Sequence, residues 1–303
     1  MPTLAHLHHR TRYEYDRAVN LGPHIVRLHP APHCRTPVTA YALKVSPATH
    51  YIHWQQDPLA NRLARLVFTQ ACTEFEVTVD MSVELTGFNP FDFFLDPSAN
   101  SYPFTYTQAD QLALAPYRLV DRPDPADTHL NAMLHDLDRA PQETMNFLIA
   151  LNQRVHQRVQ YQVRHEAGVQ TPNQTLQWAS GSCRDSSWLL VTLFRHCGVA
   201  ARFVSGYLID IAPQPTSAEG AVATTSSRSE LHAWCEVYLP GAGWIGLDPT
   251  SGLLSGEGHI PLACALQPGW AAPIDGVADV AEVTFSHRID VSVTGSPEAV
   301  VPK

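Results

Sequence analysis

The sequence predicts an α+β protein, with a β-rich N-terminal region followed by a region of helices and a strand hairpin. Three observations carry this reading. Apolar side chains alternate at Phe75, Val77, Val79, Met81, Val83 and Leu85, with acids at Glu76, Asp80 and Glu84 between them. That is the period of a strand with one wet face. A compact apolar run at 188–194 is followed by Gly198, the pattern of a buried helix and its stop. Two strand-like segments, 234–239 and 244–247, are joined by Pro240-Gly241-Ala242-Gly243, a glycine-bearing hairpin turn.

The remaining elements follow in order. Segments 13–15 and 41–45 also read as strands, and Asn89-Pro90 and Asp96-Pro97 punctuate the region as turns. An antiparallel sandwich-like domain over residues 1–120 is expected. The polar, proline-rich run from Asp121 to Asp127 marks a boundary. From 143 to 159 the period turns helical, with Phe147, Leu148, Leu151 and Val155 on one face. Tyr161-Gln162-Val163 reads as a short extended piece, and a helix is expected from Cys183 to Cys197. Strands are expected at 201–208, around His232 and at 244–247, with a long polar loop over 213–229 that is flexible or functional in character. The second domain is thus placed at 121–260, and a tail at 261–303 carries one closing strand at 289–293.

Composition narrows the function. Of 303 residues, 45% are apolar and 16% charged, with a formal net charge of -9, which argues against nucleic acid and anionic membrane as partners. No secretory signal is legible at the N-terminus, and no apolar run is long enough to span a bilayer, so a cytoplasmic protein is expected. Six irregularly spaced cysteines, none in a Cys-x-x-Cys pair, do not read as a disulfide framework. His6, His8 and His9 are the one histidine cluster that invites a metal, but no third ligand stands at a recognisable spacing. No metal or cofactor is expected.

The chemistry gathers on Cys183, His232 and Asp248. Cys183 follows Gly181-Ser182 and opens a helix, whose first amides and partial positive charge favour a thiolate. His232 and Asp248 stand near the two open ends of the hairpin, so the turn itself brings them together. A histidine beside the thiol is base and acid, and a carboxylate on its far nitrogen orients it. Each residue has a plainer role available: a packed thiol, a core histidine, a turn aspartate before Pro249. The three together favour acyl transfer through a thioester. The Cys183 amide is the first oxyanion donor, and Gln177 or Trp178 is a candidate second. Trp234 is a core residue or a cleft wall. Asp185 reads as a first-turn acid supporting the helix, and Arg184 as a salt-bridge residue or a binder of substrate carboxylate.

At these residues the sequence resembles the transglutaminase-like superfamily of papain-like thiol enzymes. The similar pieces are Gly181-Ser182-Cys183-Arg184-Asp185, the runs 198–208 and 231–240, and Gly243-Trp244-Ile245-Gly246-Leu247-Asp248-Pro249-Thr250. The opening His9-Arg10-Thr11-Arg12-Tyr13-Glu14-Tyr15, through Arg27-Leu28-His29-Pro30, resembles the bacterial subfamily with a β-rich N-terminal domain. The resemblance implies a papain-like transglutaminase core, a nucleophile helix packed against an antiparallel sheet, with Cys183 as nucleophile, His232 as base and Asp248 as orienter. Where relatives tend to carry a Gly-Arg-Asp-Tyr-type sequence, this chain has Cys264-Ala265-Leu266-Gln267-Pro268-Gly269-Trp270. A cysteine protease or amidase acting on a peptide or isopeptide is the first expectation. Transfer to an amine acceptor is the second, and a non-catalytic binding module on the same fold the third.

Overall fold

The alternation over 75–85 becomes the middle of a β-sandwich. In the computed structural model, which describes residues 3–120, 124–164, 166–211 and 227–294, six strands open the chain. They are β1 (Thr3–Val19), β2 (Leu21–Val26), β3 (Val38–Ser46), β4 (His50–Gln56), β5 (Arg62–Phe68) and β6 (Cys72–Leu85). Phe75, Val77, Val79, Met81, Val83 and Leu85 of β6 are all buried, while the residues between them are half-buried. β6 lies between β1 and β3, antiparallel to both.

A helical layer follows: α1 (Gln108–Ala113), α2 (Thr128–His135), α3 (Thr144–Arg158), α4 (Pro172–Trp178) and α5 (Cys183–His196). Two-residue strands pin the connections, β7 (Ser101–Tyr102) on β8 (Gln142–Glu143) and β9 (Gln160–Tyr161) on β10 (Ser180–Gly181). The helical period at 143–159 is α3, with Phe147, Leu148, Leu151 and Val155 buried. The predicted loop at 213–229 falls largely outside the described residues, as does the first part of the boundary run at 121–123.

The core sheet is β11 (Ala201–Ile211), β12 (Ser227–Leu239), β13 (Gly243–Asp248), β14 (Leu253–Leu254) and β15 (His259–Ala265), in the order β14-β13-β12-β11-β15. α5 packs on it through Leu189, Leu190, Leu193 and Phe194, in one core with Phe203, Ala233, Cys235 and Val237. The β12–β13 hairpin closes at Leu239↔Gly243, and both Gly241 and Gly243 adopt positive φ, as the turn requires.

β15 runs across position 260, so the sheet takes in residues that the sequence pattern assigns to a tail. The last two strands go elsewhere. β16 (Ile274–Ala278) pairs with β2, and β17 (Val283–Thr294) pairs along β1 from Leu4↔Thr294 to Tyr15↔Val283. The sandwich is therefore two four-stranded sheets, β17-β1-β6-β3 and β16-β2-β5-β4. It shares a hydrophobic core with Tyr207, Ile209, Ile260 and Leu262 of the core sheet. Among the described residues no helix is long and apolar enough to cross a membrane.

Candidate active site

The first turn of α5 is fixed by a dense set of hydrogen bonds. Ser182 caps the helix, and its hydroxyl and amide both donate to Asp185 Oδ2 at 2.8 Å. The Asp185 carboxylate also accepts from the Gln170 amide at 2.7 Å and pairs with Arg164 at 2.8 Å. Burial works against its charge, but these donors outweigh burial and hold the carboxyl below its ordinary range. Asp185 is thus spent on the helix start. Arg184 donates to the Arg164 and Glu166 carbonyls, which makes it a loop brace. Cys183 sits at the first helical position, 8% exposed, where no intrahelical carbonyl takes its amide.

The other two residues come from the hairpin. Cys235 pairs with Leu247, so His232 lies diagonally across from Asp248, within side-chain reach. His232 Nε2 is 3.2 Å from Asp248 Oδ2, and both side chains are buried, 1% and 2% exposed. One turn along α5 from Cys183, Ser187 donates to the Ala233 carbonyl at 2.9 Å and ties the helix to the strand beside His232. His232 Nδ1 is sealed from solvent and makes no hydrogen bond among the described residues. Its neighbours are Cys183 and the half-exposed Glu230, whose Oε1 is 3.5 Å away.

The electrostatics favour an imidazolium. Burial by itself disfavours the charge on His232, but Asp248, Cys183 and Glu230 outweigh burial and raise its proton affinity. Asp248 is pushed the other way: burial opposes its charge, yet His232 and His259 hold it firmly ionised. Its Oδ1 accepts from the Thr250 amide at 2.8 Å, and its Oδ2 from Ser251 Oγ at 3.2 Å. Asn152 Nδ2 anchors the same turn by donating to the Asp248 and Leu253 carbonyls, at 3.3 and 3.0 Å.

The remaining candidates are spread out. Gln177 and Trp178 end α4 and are exposed, Trp178 by 55%. Trp234 is 1% exposed, so it offers no open wall; its ring lies under the two histidines, 6.4 Å from His232 and 5.1 Å from His259. Two residues at the site carry no pattern in the sequence. Tyr161, 42% exposed, arrives on β9 and stands in the field of Glu230, Cys183, His232 and Asp248. His259 arrives on β15, with Nε2 3.4 Å from Asp248 Oδ2.

Two groups of possible cation ligands occur among the described residues: His232, Asp248 and His259, and a separate set of His33, Glu236 and Cys264. In the second, Arg202 holds Glu236 Oε2 at 2.6 Å and lies 3.2 Å from His33 Nε2, so a cation is already in place. At the N-terminus His6 bonds to Ser82 and His8 to Asp80, at 2.8 and 2.7 Å, while His9 is buried against Tyr207 and Thr11.

Comparison with known families agrees with this geometry. Residues 5–84 match the bacterial transglutaminase-like N-terminal region, and residues 131–249 match the transglutaminase-like superfamily core. The chain belongs to the transglutaminase-like superfamily. The core match contains Cys183, His232 and Asp248, whereas His259 lies beyond its end. The fold is shared with the crystal structure of a candidate cysteine protease from Cytophaga hutchinsonii, at a TM-score of 0.67 and 16% identity, covering 99% of this chain and 93% of that one. Among sequence relatives, ML0607 of Mycobacterium leprae is 24% identical over 279 residues, 89% of this chain and 91% of its own length. Rv2569c of Mycobacterium tuberculosis is 32% identical over 130 residues, and YebA of Bacillus subtilis 33% identical over 72. The matched parts make up 41% and 24% of this transglutaminase-like chain, but only 38% of Rv2569c and 10% of YebA.

Proposed function

We propose that the protein is a thiol-dependent acyl-transfer enzyme that cleaves a peptide or isopeptide amide through a Cys183 thioester. The buried Cys183–His232–Asp248 array at the start of α5 carries the proposal. The Cys183 thiolate attacks the amide carbon, and the carbonyl electrons move to oxygen, where the Cys183 backbone N–H donates to the oxyanion. The carbonyl re-forms as the C–N bond breaks, and His232 gives its Nδ1 proton to the departing amine. A water then attacks the thioester, His232 takes the water's proton, and the thiolate leaves. Asp248 holds the ring with Nδ1 toward the sulfur throughout and stabilises its charge.

A second reading rests on Glu230. A half-exposed carboxylate beside His232 Nδ1 suits a cationic amine, which would replace water in resolving the thioester. The unpaired state of all six cysteines supports action in a reducing compartment such as the cytoplasm.

The test is iodoacetamide alkylation of each cysteine against pH, read by peptide mass spectrometry, followed by a screen of peptides with and without added amines. Fast labelling of Cys183 that persists below ~8.5, the ordinary thiol value, is the expected result. Labelling no faster than at Cys34 or Cys72 would leave a non-catalytic binding module as the better reading.

A further inference from the structure

We infer that His259 is a positioning residue of the site, which fixes the Asp248 carboxylate by donating from Nε2, and that the N-terminal sandwich holds His259 in place. The inference rests on the thiol-enzyme reading above.

The order of strands makes His259 a distant arrival. β13, which carries Asp248, and β15, which carries His259, are separated in the sheet by β12 and β11. The connection after β14 must cross both. It sets out over Gly246 of β13, where a Cβ would lie 2.5 Å from Ser255 Oγ. Ser255 donates its amide to the Gly246 carbonyl at 3.0 Å during this crossing.

The tautomer follows from the turn. The Gly256 amide donates to His259 Nδ1 at 3.1 Å, and the His259 amide donates back to the Gly256 carbonyl at 3.0 Å. A nitrogen that accepts a hydrogen bond carries no proton, so the ring proton sits on Nε2 and points at Asp248 Oδ2, 3.4 Å away. That oxygen is the one His232 also uses. Trp234 packs edge-on against the His259 ring at 5.1 Å and limits its rotation.

The sandwich grips the same segment on both sides. Thr36 Oγ1 donates to the Glu257 carbonyl at 2.7 Å, and the Ala31 amide donates to the Pro261 carbonyl at 2.7 Å. His259 lies midway between these two anchors. The segment between β2 and β3 is therefore part of the catalytic support, which gives the N-terminal domain a role in the chemistry.

The experiment compares alkylation of Cys183 against pH in the wild type, His259→Gln, His259→Leu and Thr36→Val, with thermal melting as the check on folding. Gln keeps an N–H donor and Leu does not. The expected result is an alkylation rate at pH 6 that falls about tenfold in the Leu variant, the equivalent of one pH unit, and stays near wild type in the Gln variant. Thr36→Val is expected to lose part of the same rate, about threefold for one hydrogen bond. A folded Leu variant that labels like wild type overturns the inference. So does a Gln variant that falls as far as Leu, because the ring would then act only by packing. An unchanged Thr36→Val removes the sandwich from it. Should wild-type Cys183 prove inert, the thiol-enzyme reading fails, and nitrogen-15 NMR of the histidine rings still decides the geometry. A proton on Nε2 with a bare Nδ1 at His259 is expected, and the opposite tautomer refutes it.

Discussion

Cys183 and Ser187 lie one turn apart on the same helix face, and that spacing sets the reach of the Cys183 thiol. Ser187 fastens the helix to Ala233, so His232 next door meets the thiol at a fixed height along the strand. Replacing Cys183 with Ala should abolish amidase or transferase turnover, by about 10³-fold or more, and leave the fold intact; turnover at wild-type level would remove the thioester. His232→Ala should slow alkylation of Cys183 at pH 6 by about tenfold or more, since the imidazolium that supports the thiolate is gone. Asp248→Asn keeps the shape but changes which atom donates. A loss of about 10²- to 10⁴-fold in turnover is expected, with the variant still folded by circular dichroism. At this scale the closeness of His232 to Asp248 was legible because a single local device, the hairpin, joins them, and the place of Cys183 was legible from a helix start. The place of His259 was not, because only the strand order of the finished sheet brings it in, nor was that of Tyr161, which the pairing of β9 with β10 sets beside the start of α5.

At the scale of elements, α5 and β11 carry the demands of the site. The α5 start depends on Asp185, which is fully buried and paired with Arg164. Asp185→Asn should lower stability by about 3 kcal/mol, the cost of stranding a buried cation, and a chemical denaturation curve would measure it. β11 needs Gly206 because the Trp234 ring would come within 2.5 Å of any Cβ there, directly across from His232. Gly206→Ala is expected to cost about 1–3 kcal/mol through overpacking and to slow Cys183 labelling as Trp234 shifts; an unaffected variant would show that the tryptophan does not support the histidines. Element type was plain where one face is wet, as in β6. It was hidden in β15, where every residue from Ile260 to Ala265 is buried, so the strand lacks the two-residue period and resembles an irregular tail.

For the whole molecule, the contact between sandwich and core sheet contains a buried ion pair. Glu236 is matched by Arg202 and His33. Although burial raises its proton affinity, the Arg202 guanidinium and the His33 side chain beside it lower it from 4.5 to about 2. A carboxyl depressed on folding stabilises the protein above its unfolded value and loses that contribution as pH falls through the folded one. The melting temperature should therefore drop as pH falls from 4.5 toward 2, and Glu236→Gln should flatten that part of the curve while lowering stability at neutral pH; a profile of the same slope in both would refute the assignment. None of this was readable from the sequence, because His33, Arg202 and Glu236 are far apart in the chain and each looks like an ordinary surface residue there.

The pairing of β1 with β17 also orders events in time. Tyr15 meets Val283 and Leu4 meets Thr294, so one edge of β1 stays open until residues 283–294 have left the ribosome. The sandwich cannot close ahead of the core it braces. A nascent chain stalled before 283 would carry an unfinished sheet edge, a surface for chaperones to cover while the core folds.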